Sequence, residues 1–302
     1  GVGDGSNFSV TAKSLLMSLD QWNHLAFAYN DADDKMFIHF DGFEKETAVA
    51  LSLPAQPGVD LSIGADSEGV NNFFNGLIDE VKIFSKALSA SEIRAIYSGT
   101  SGELPTAYYA FNNNADDSSG NGHHSAVYGA TFVDDRAGSP NAALSFDGND
   151  YVLVNDHADF QITGAFTLMA WINESVPVQH AKIISRRSEN YFYFLGVDNG
   201  RPYGGVGDGT SFTVTIKSIA MVASQWHLVG FVHNPSTGKI AIYYDGVLDE
   251  AAVTISLPSM TKVDVTIGGD SEGSSNFFEG LIDEVGIFDT ELSADEIRQT
   301  YK

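Results

Sequence analysis

The densest run of hard oxygen donors in this 302-residue sequence is Asp116-Asp117-Ser118-Ser119-Gly120-Asn121-Gly122-His123. Calcium needs several oxygen ligands, and a turn of this composition offers carboxylate and backbone carbonyl oxygens within a few residues. The competing reading is an Asx-rich turn whose side chains bond their own backbone and need no metal. His123 and His124 are imidazole ligands, but neighbouring residues of a strand point to opposite faces. No third or fourth ligand is spaced to join them, so zinc is not expected. A second acidic run, Asp31-Ala32-Asp33-Asp34, lacks the glycine and the distal glutamate of an EF-hand loop. It reads as a solvated hairpin turn.

Sugar recognition joins an aromatic platform to planar hydrogen-bonding groups. The stretch Lys182 to Tyr193 contains both, and Arg186, Arg187, Tyr191 and Tyr193 are the expected ligand-binding surface. Alternation puts Tyr191 and Tyr193 on one face of a strand and Phe192 and Phe194 on the other. The alternative is that the tyrosines are ordinary strand residues and the arginines pair with an acidic surface. Trp22, Trp171 and Trp226 lie in apolar runs and are expected in the core. Retaining glycoside hydrolysis needs two carboxylates on one face, about 5 Å apart. Asp283-Glu284 and Asp249-Glu250 are adjacent pairs, which regular strands would point in opposite directions. With no serine-histidine-acid or phosphate-loop arrangement either, the chain is expected not to be an enzyme.

Forty acidic residues against sixteen basic ones give a formal charge of -24, which opposes nucleic acid and anionic lipid as partners. The absence of cysteine removes disulfides, thiolate catalysis and thiolate-bound metals. There is no apolar run of membrane-spanning length, and Gly1 to Ser9 have neither the charged start nor the apolar core of a signal peptide. The expected start of the chain is therefore an internal cut in a longer protein.

An internal repeat organises the sequence. Gly1-Val2-Gly3-Asp4-Gly5 recurs as Gly205-Val206-Gly207-Asp208-Gly209, and the same offset aligns Trp22 with Trp226, Asp41-Gly42 with Asp245-Gly246, and Asn72-Phe73-Phe74 with Asn276-Phe277-Phe278. The segment between the copies occurs once. Residues 1–98 therefore read as the carboxyl half of a module, 99–106 as a small, polar, proline-containing linker, and 107–302 as a complete module. One amino half cannot complete two carboxyl halves. The expected partner of residues 1–98 is a missing amino half-module, from upstream sequence or another chain.

Short alternating runs such as Phe166 to Ile172 and Lys239 to Tyr244, separated by glycine, asparagine and aspartate, predict an all-β antiparallel sandwich. The pairs Asp41-Gly42 and Asp245-Gly246 are hairpin-turn chemistry. Ser89-Ala90-Ser91-Glu92 and Ser293-Ala294-Asp295-Glu296 carry the capping-box pattern, which predicts one short helix at the end of each module.

Three segments, Ala143 to Val152, Phe166 to Ile172 and Gly280 to Phe288, resemble successive landmarks of the laminin G-like, concanavalin A-like lectin and glucanase domains, as does the closing Leu292 to Ile297. The resemblance implies a jelly-roll sandwich, frequently with calcium, acting in glycan or protein binding and adhesion outside the cell. Carried over, the family's metal position implies Asp117, Asn121 and Asp283 as Ca2+ ligands, with Asp147 beside them. Asp79 is the only counterpart of this set in residues 1–98. The functional expectation is a non-catalytic extracellular binding module from a tandem-repeat protein, with a glycan or an extracellular protein as partner. The alternative is a structural repeat of an extracellular array that self-associates and binds no glycan.

Overall fold

The computed structural model describes residues 2–3, 8–9, 22–30, 35–40, 43–49, 62–65, 72–88, 92–93, 96–97 and 105–300, except 190, 253–254, 260–261 and 271–273. The chain forms two compact units that divide between Arg94 and Ala95, a few residues ahead of the boundary read from the repeat. Residues 99–104 of the expected linker, the acidic run 31–34, the Asp41-Gly42 turn and the capping positions 89–91 lie outside the described residues.

The first unit contains a two-stranded sheet of β1 (Val2–Gly3) and β2 (Phe8–Ser9), and a three-stranded antiparallel sheet of β3 (Leu25–Asn30), β4 (Lys35–Phe40) and β5 (Phe43–Val49). Its apolar residues are largely uncovered. Leu25, Phe27, Ile63, Phe74, Ile78, Val81 and Ile83 are between 46 and 69 % exposed, whereas their repeat counterparts Val229, Phe231, Ile267, Phe278, Ile282, Val285 and Ile287 are each 0 % exposed. Trp22, expected in the core, is exposed, and its counterpart Trp226 is only partly buried against the smaller cluster on the outer face of its sheet.

The second unit is a complete sandwich. Its strands are β6 (Ala107–Tyr109), β7 (Ser125–Tyr128), β8 (Thr131–Val133), β9 (Ala143–Asp147), β10 (Tyr151–Val154), β11 (Phe166–Glu174), β12 (Ala181–Ser188), β13 (Tyr191–Asp198), β14 (Arg201–Asp208), β15 (Phe212–Ile216), β16 (His227–Asn234), β17 (Lys239–Tyr244), β18 (Val247–Ala252), β19 (Val265–Ile267) and β20 (Glu279–Phe288), followed by helix α1 (Ala294–Thr300). One sheet has seven strands in the order β15-β14-β13-β12-β19-β10-β7, and the other runs β18-β17-β16-β11-β20-β9-β8 with β6 also paired to β20. Every pairing is antiparallel, with neighbours that are distant in sequence, as the expected jelly roll requires.

Between the sheets lies one core that includes Leu144, Val152, Phe166, Leu168, Ile184, Tyr193, Leu195, Phe231, Ile242, Ile267 and Ile282. A smaller cluster covers the outer face of the other sheet, where Ile297 of α1 joins Met169, Trp171, Val232 and Tyr243. The helix is held by the expected capping box: the Ser293 amide donates to Glu296 Oε2 at 2.7 Å, and the Glu296 amide donates to Ser293 Oγ at 3.3 Å. At the β17–β18 hairpin, Asp245 (φ 48°) and Gly246 (φ 72°) both take the left-handed region that a primed turn demands.

Candidate binding face of the seven-stranded sheet

Strand pairing fixes which side chains share a face. Ser185, Phe194, Gly205 and Val214 are in register across β12 to β15, as are Arg187, Phe192, Gly207 and Phe212. A third row holds Lys182, Gly196, Tyr203 and Ile216. These rows point away from the core, because the alternating residues Ile184, Leu195 and Tyr193 belong to it. The outer rows make an apolar surface with polar groups set into one side. Its exposed edge is Phe212, Val214 and Ile216. At Gly205 a methyl group would come within 2.9 Å of both Phe194 and Val214, so the glycine lets these side chains close over the strand.

Asp270 organises the polar side. Its Oδ1 accepts from Ser185 Oγ at 2.6 Å, while its Oδ2 accepts from Arg187 Nη1 at 3.0 Å and Asn276 Nδ2 at 3.2 Å. Arg187 lies 5.5 Å from the Phe192 ring centre and remains 38 % exposed at its side chain. Beside it Lys182 is sandwiched against Phe194 (4.2 Å) and Tyr203 (4.7 Å) and donates to the Tyr203 hydroxyl. Burial pushes the Lys182 amine down to about 8, and Arg187 adds to this while Asp270 and Asp198 oppose it. The face thus combines rings packed at a tilt with a guanidinium held by a buried carboxylate and the Glu189 carbonyl.

The expected ligand surface is corrected at two of its four residues. Arg186 and Tyr193 are 0 % exposed. Arg186 donates inward to the Val263 carbonyl (3.0 Å) and to Asp156 (2.7 Å), and the Tyr193 hydroxyl donates to the Phe160 carbonyl at 3.2 Å. A register shift between Lys182 and Ile184 sets the phase of β12, turning Arg186 in and Arg187 out. Tyr191 is exposed at the start of β13, on the same side as Tyr193. The outward aromatics are therefore the phenylalanines of the alternating run, not the tyrosines.

Among the described residues, the carboxylates of the expected calcium ligands Asp117, Asp147 and Asp283 are not gathered into one ligand cluster. Asp117 accepts four hydrogen bonds: Oδ1 from the Tyr108 amide (3.0 Å) and the Ser119 amide (2.8 Å), Oδ2 from Ser119 Oγ (2.8 Å) and the His123 amide (3.0 Å). That exhausts the lone pairs of a carboxylate. Asn121 donates its amide protons to the carbonyls of Pro105 (3.3 Å) and Thr106 (3.0 Å), which fixes the side chain but leaves Oδ1 as an oxygen donor. Asp147 caps its own turn through the Asn149 amide at 3.3 Å.

Asp283 is buried and meets the Arg136 guanidinium at 3.4 Å, and the same guanidinium reaches Glu284 at 3.1 Å. Here the expectation that Asp283 and Glu284 face opposite ways is overturned. A bulge between Met169 and Trp171 pairing, with Glu284 at φ 48°, brings both carboxylates to one arginine, which also lies 4.4 Å over the Trp171 ring. Burial raises the Asp283 carboxyl, the Glu284 charge adds to this, and Arg136 opposes it. The arginine stands where a cation would otherwise be called for.

Residues 1–94 and 146–298 match the profile of the concanavalin A-like lectin/glucanases superfamily, and the chain belongs to that family. No curated protein sequence matches it. Among solved structures, domain 4 of AbnA, an extracellular GH43 arabinanase from Geobacillus stearothermophilus in complex with arabinotriose, is 18 % identical with a TM-score of 0.56, covering 66 % of this chain and 99 % of that one. The binding domain of botulinum neurotoxin DC in complex with SialylT is 16 % identical with a TM-score of 0.53, covering 67 % of this chain and 51 % of that one. The serotype G binding domain is 14 % identical with a TM-score of 0.52, over 65 % and 50 % of the two chains. This chain therefore spans about half of each toxin domain. At these identities the likeness is one of fold.

Proposed function

We propose that the second unit is a non-catalytic glycan-binding module of an extracellular protein, and that it binds through the outer face of β12 to β15. The observation that carries this reading is the face itself. Phe192 and the exposed Phe212, with Phe194 packed beneath them, give an apolar surface for the CH faces of a sugar ring, and Arg187, bonded to Asp270, gives planar donors beside it. Fold neighbours crystallised with arabinotriose and with SialylT support the choice of ligand class. The charge of -24 disfavours sulfated or sialylated chains and favours neutral glycans. Among the described residues no helix is long and apolar enough to cross a membrane. A glycan array probed with the full chain tests the reading. Binding to neutral oligosaccharides that falls about tenfold or more in Arg187→Ala and Phe192→Ala supports it, since a truncated anchor costs about 1–2 kcal/mol or more. No glycan bound, or affinity unchanged in both variants, overturns it and favours the structural-repeat alternative.

The open face of the first unit takes, on the same reading, an amino half-module of the kind formed by residues 107–204. In the second unit that half supplies both neighbouring strands, where Val285 and Ile287 pair with Tyr109 and Ala107 and Ile282 with Leu144 and Ile172, and core residues of the opposing sheet such as Val152, Ile184, Tyr193 and Leu195. Burying seven such side chains is worth on the order of 10 kcal/mol. A chain carrying a second copy of 105–204 ahead of residue 1 is expected to slow amide exchange in 25–40 and 77–84 to the rates of 229–244 and 281–288. Unchanged exchange in the first unit excludes this occupant.

A further inference from the structure

Outside the binding face, the fold gathers three metal-ligating side chains from two segments, His123 from one and His157 and Asp159 from the other. Among the described residues, one ligand atom from each of His123, His157 and Asp159 lies within 4.8 Å of the others. His123 Nε2 is 3.0 Å from Asp159 Oδ2, and His157 Nδ1 is 3.3 Å from the same oxygen. Ligands bound at about 2.0–2.1 Å with tetrahedral to octahedral angles stand about 2.9–3.4 Å apart, and both separations fall in that interval.

His123 is held in place. The Asp117 carboxylate accepts its amide at 3.0 Å, the Tyr109 hydroxyl donates to its carbonyl at 2.7 Å, and its ring packs 4.7 Å from Phe160. His157 caps the 3-10 turn Ala158–Phe160, which carries Asp159. His157 Nδ1 accepts the Asp159 amide at 3.3 Å and lies 3.3 Å from an Asp159 carboxylate oxygen, so an ion bound at Nδ1 would take the place of that amide contact.

We infer that His123, His157 and Asp159 form a binding site for a first-row divalent transition-metal ion. Two imidazole nitrogens and one carboxylate oxygen suit zinc and its neighbours, whereas calcium takes six to eight oxygens. Three protein ligands leave at least one coordination position open. The side chains of His157 (55 % exposed) and Asp159 (48 % exposed) border solvent, so an ion has a way in. The site is independent of the sugar-binding face and stands or falls apart from it.

The test is calorimetric titration of the metal-free full chain with Zn2+, alongside Co2+ titration followed by visible absorption. One equivalent of Zn2+ is expected at this site, with ligand-field bands for Co2+ in a low-symmetry nitrogen and oxygen environment. His157→Gln and Asp159→Asn change side chains that border solvent, and each is expected to weaken Zn2+ by about tenfold or more. His180→Gln, an exposed histidine elsewhere, is expected to leave the affinity unchanged. Circular dichroism of each variant establishes that it is folded. Equal Zn2+ affinity for the unaltered chain and the His157→Gln/Asp159→Asn double variant, a Co2+ spectrum identical to that of the hydrated ion, or displacement of Zn2+ by equimolar Ca2+ each overturns the inference.

Discussion

Glu174 ends β11 as a carboxylate without the surroundings of one, and replacing it with glutamine is expected to stabilise the sandwich. Its side chain is buried, Oε1 has no hydrogen-bond partner among the described residues, and Oε2 faces the turn at Gly200. Burial raises its pKa from 4.5 to about 7 against the opposing effect of the Val178 amide. Between those two values the folded chain holds a proton that the unfolded chain has released. Stability is therefore highest below the lower value and falls as pH rises to the upper one. At about 1.4 kcal/mol per pH unit the whole effect is about 3 kcal/mol. Glu174→Gln keeps the shape and removes the charge, so about 2–3 kcal/mol returns at pH 8 and almost none at pH 4. For a domain of this size that is about 5–10 °C in Tm. Differential scanning calorimetry of both proteins at pH 4, 6 and 8 reads it directly. A variant that melts lower at pH 8, or that gains equally at pH 4 and 8, would refute the argument that desolvation of this carboxylate governs the pH dependence.

Gly204→Ala is expected to destabilise the second unit by about 1–3 kcal/mol in urea unfolding, because the new methyl would sit 2.3 Å from the Phe231 ring in the packed core. Asp117→Ala removes the acceptor of four hydrogen bonds and should cost about 3 kcal/mol or more, with amide exchange at 119–123 quickening ahead of the rest. Phe278→Ala should cost about 3–5 kcal/mol, whereas Phe74→Ala, at the equivalent but exposed position, should cost less than about 1 kcal/mol when thermal unfolding of the two variants is compared.

Much of the architecture was legible because it rests on local pattern. Alternation marked β11 and β17, Asp245-Gly246 marked a primed turn, and Ser293 to Glu296 marked the helix start, all through interactions spanning a few residues. The repeat carried more. It aligned residues of the first unit with residues of a buried sheet face in the second, and Ile83 is exposed where its counterpart Ile287 is buried.

What the sequence determined, then, was the kind of element at each place and the repeat of one half of the chain in the other. Which face of an element turns inward was decided only in the tertiary structure. Tyr191 to Phe194 alternate between two aromatic faces of similar hydrophobicity, so period two cannot choose between them. The register shift in β12 and the pairing with β14 made the choice, sending Tyr193 and Arg186 inward. The bulge beside Trp171 likewise turned Asp283 and Glu284 toward one guanidinium, against the expectation for a regular strand. His123 met His157 and Asp159 because β7 pairs with β10, which places the loop before one strand beside the turn after the other. Such contacts depend on register and crossover between distant segments, and these are set by the packing of the whole sandwich.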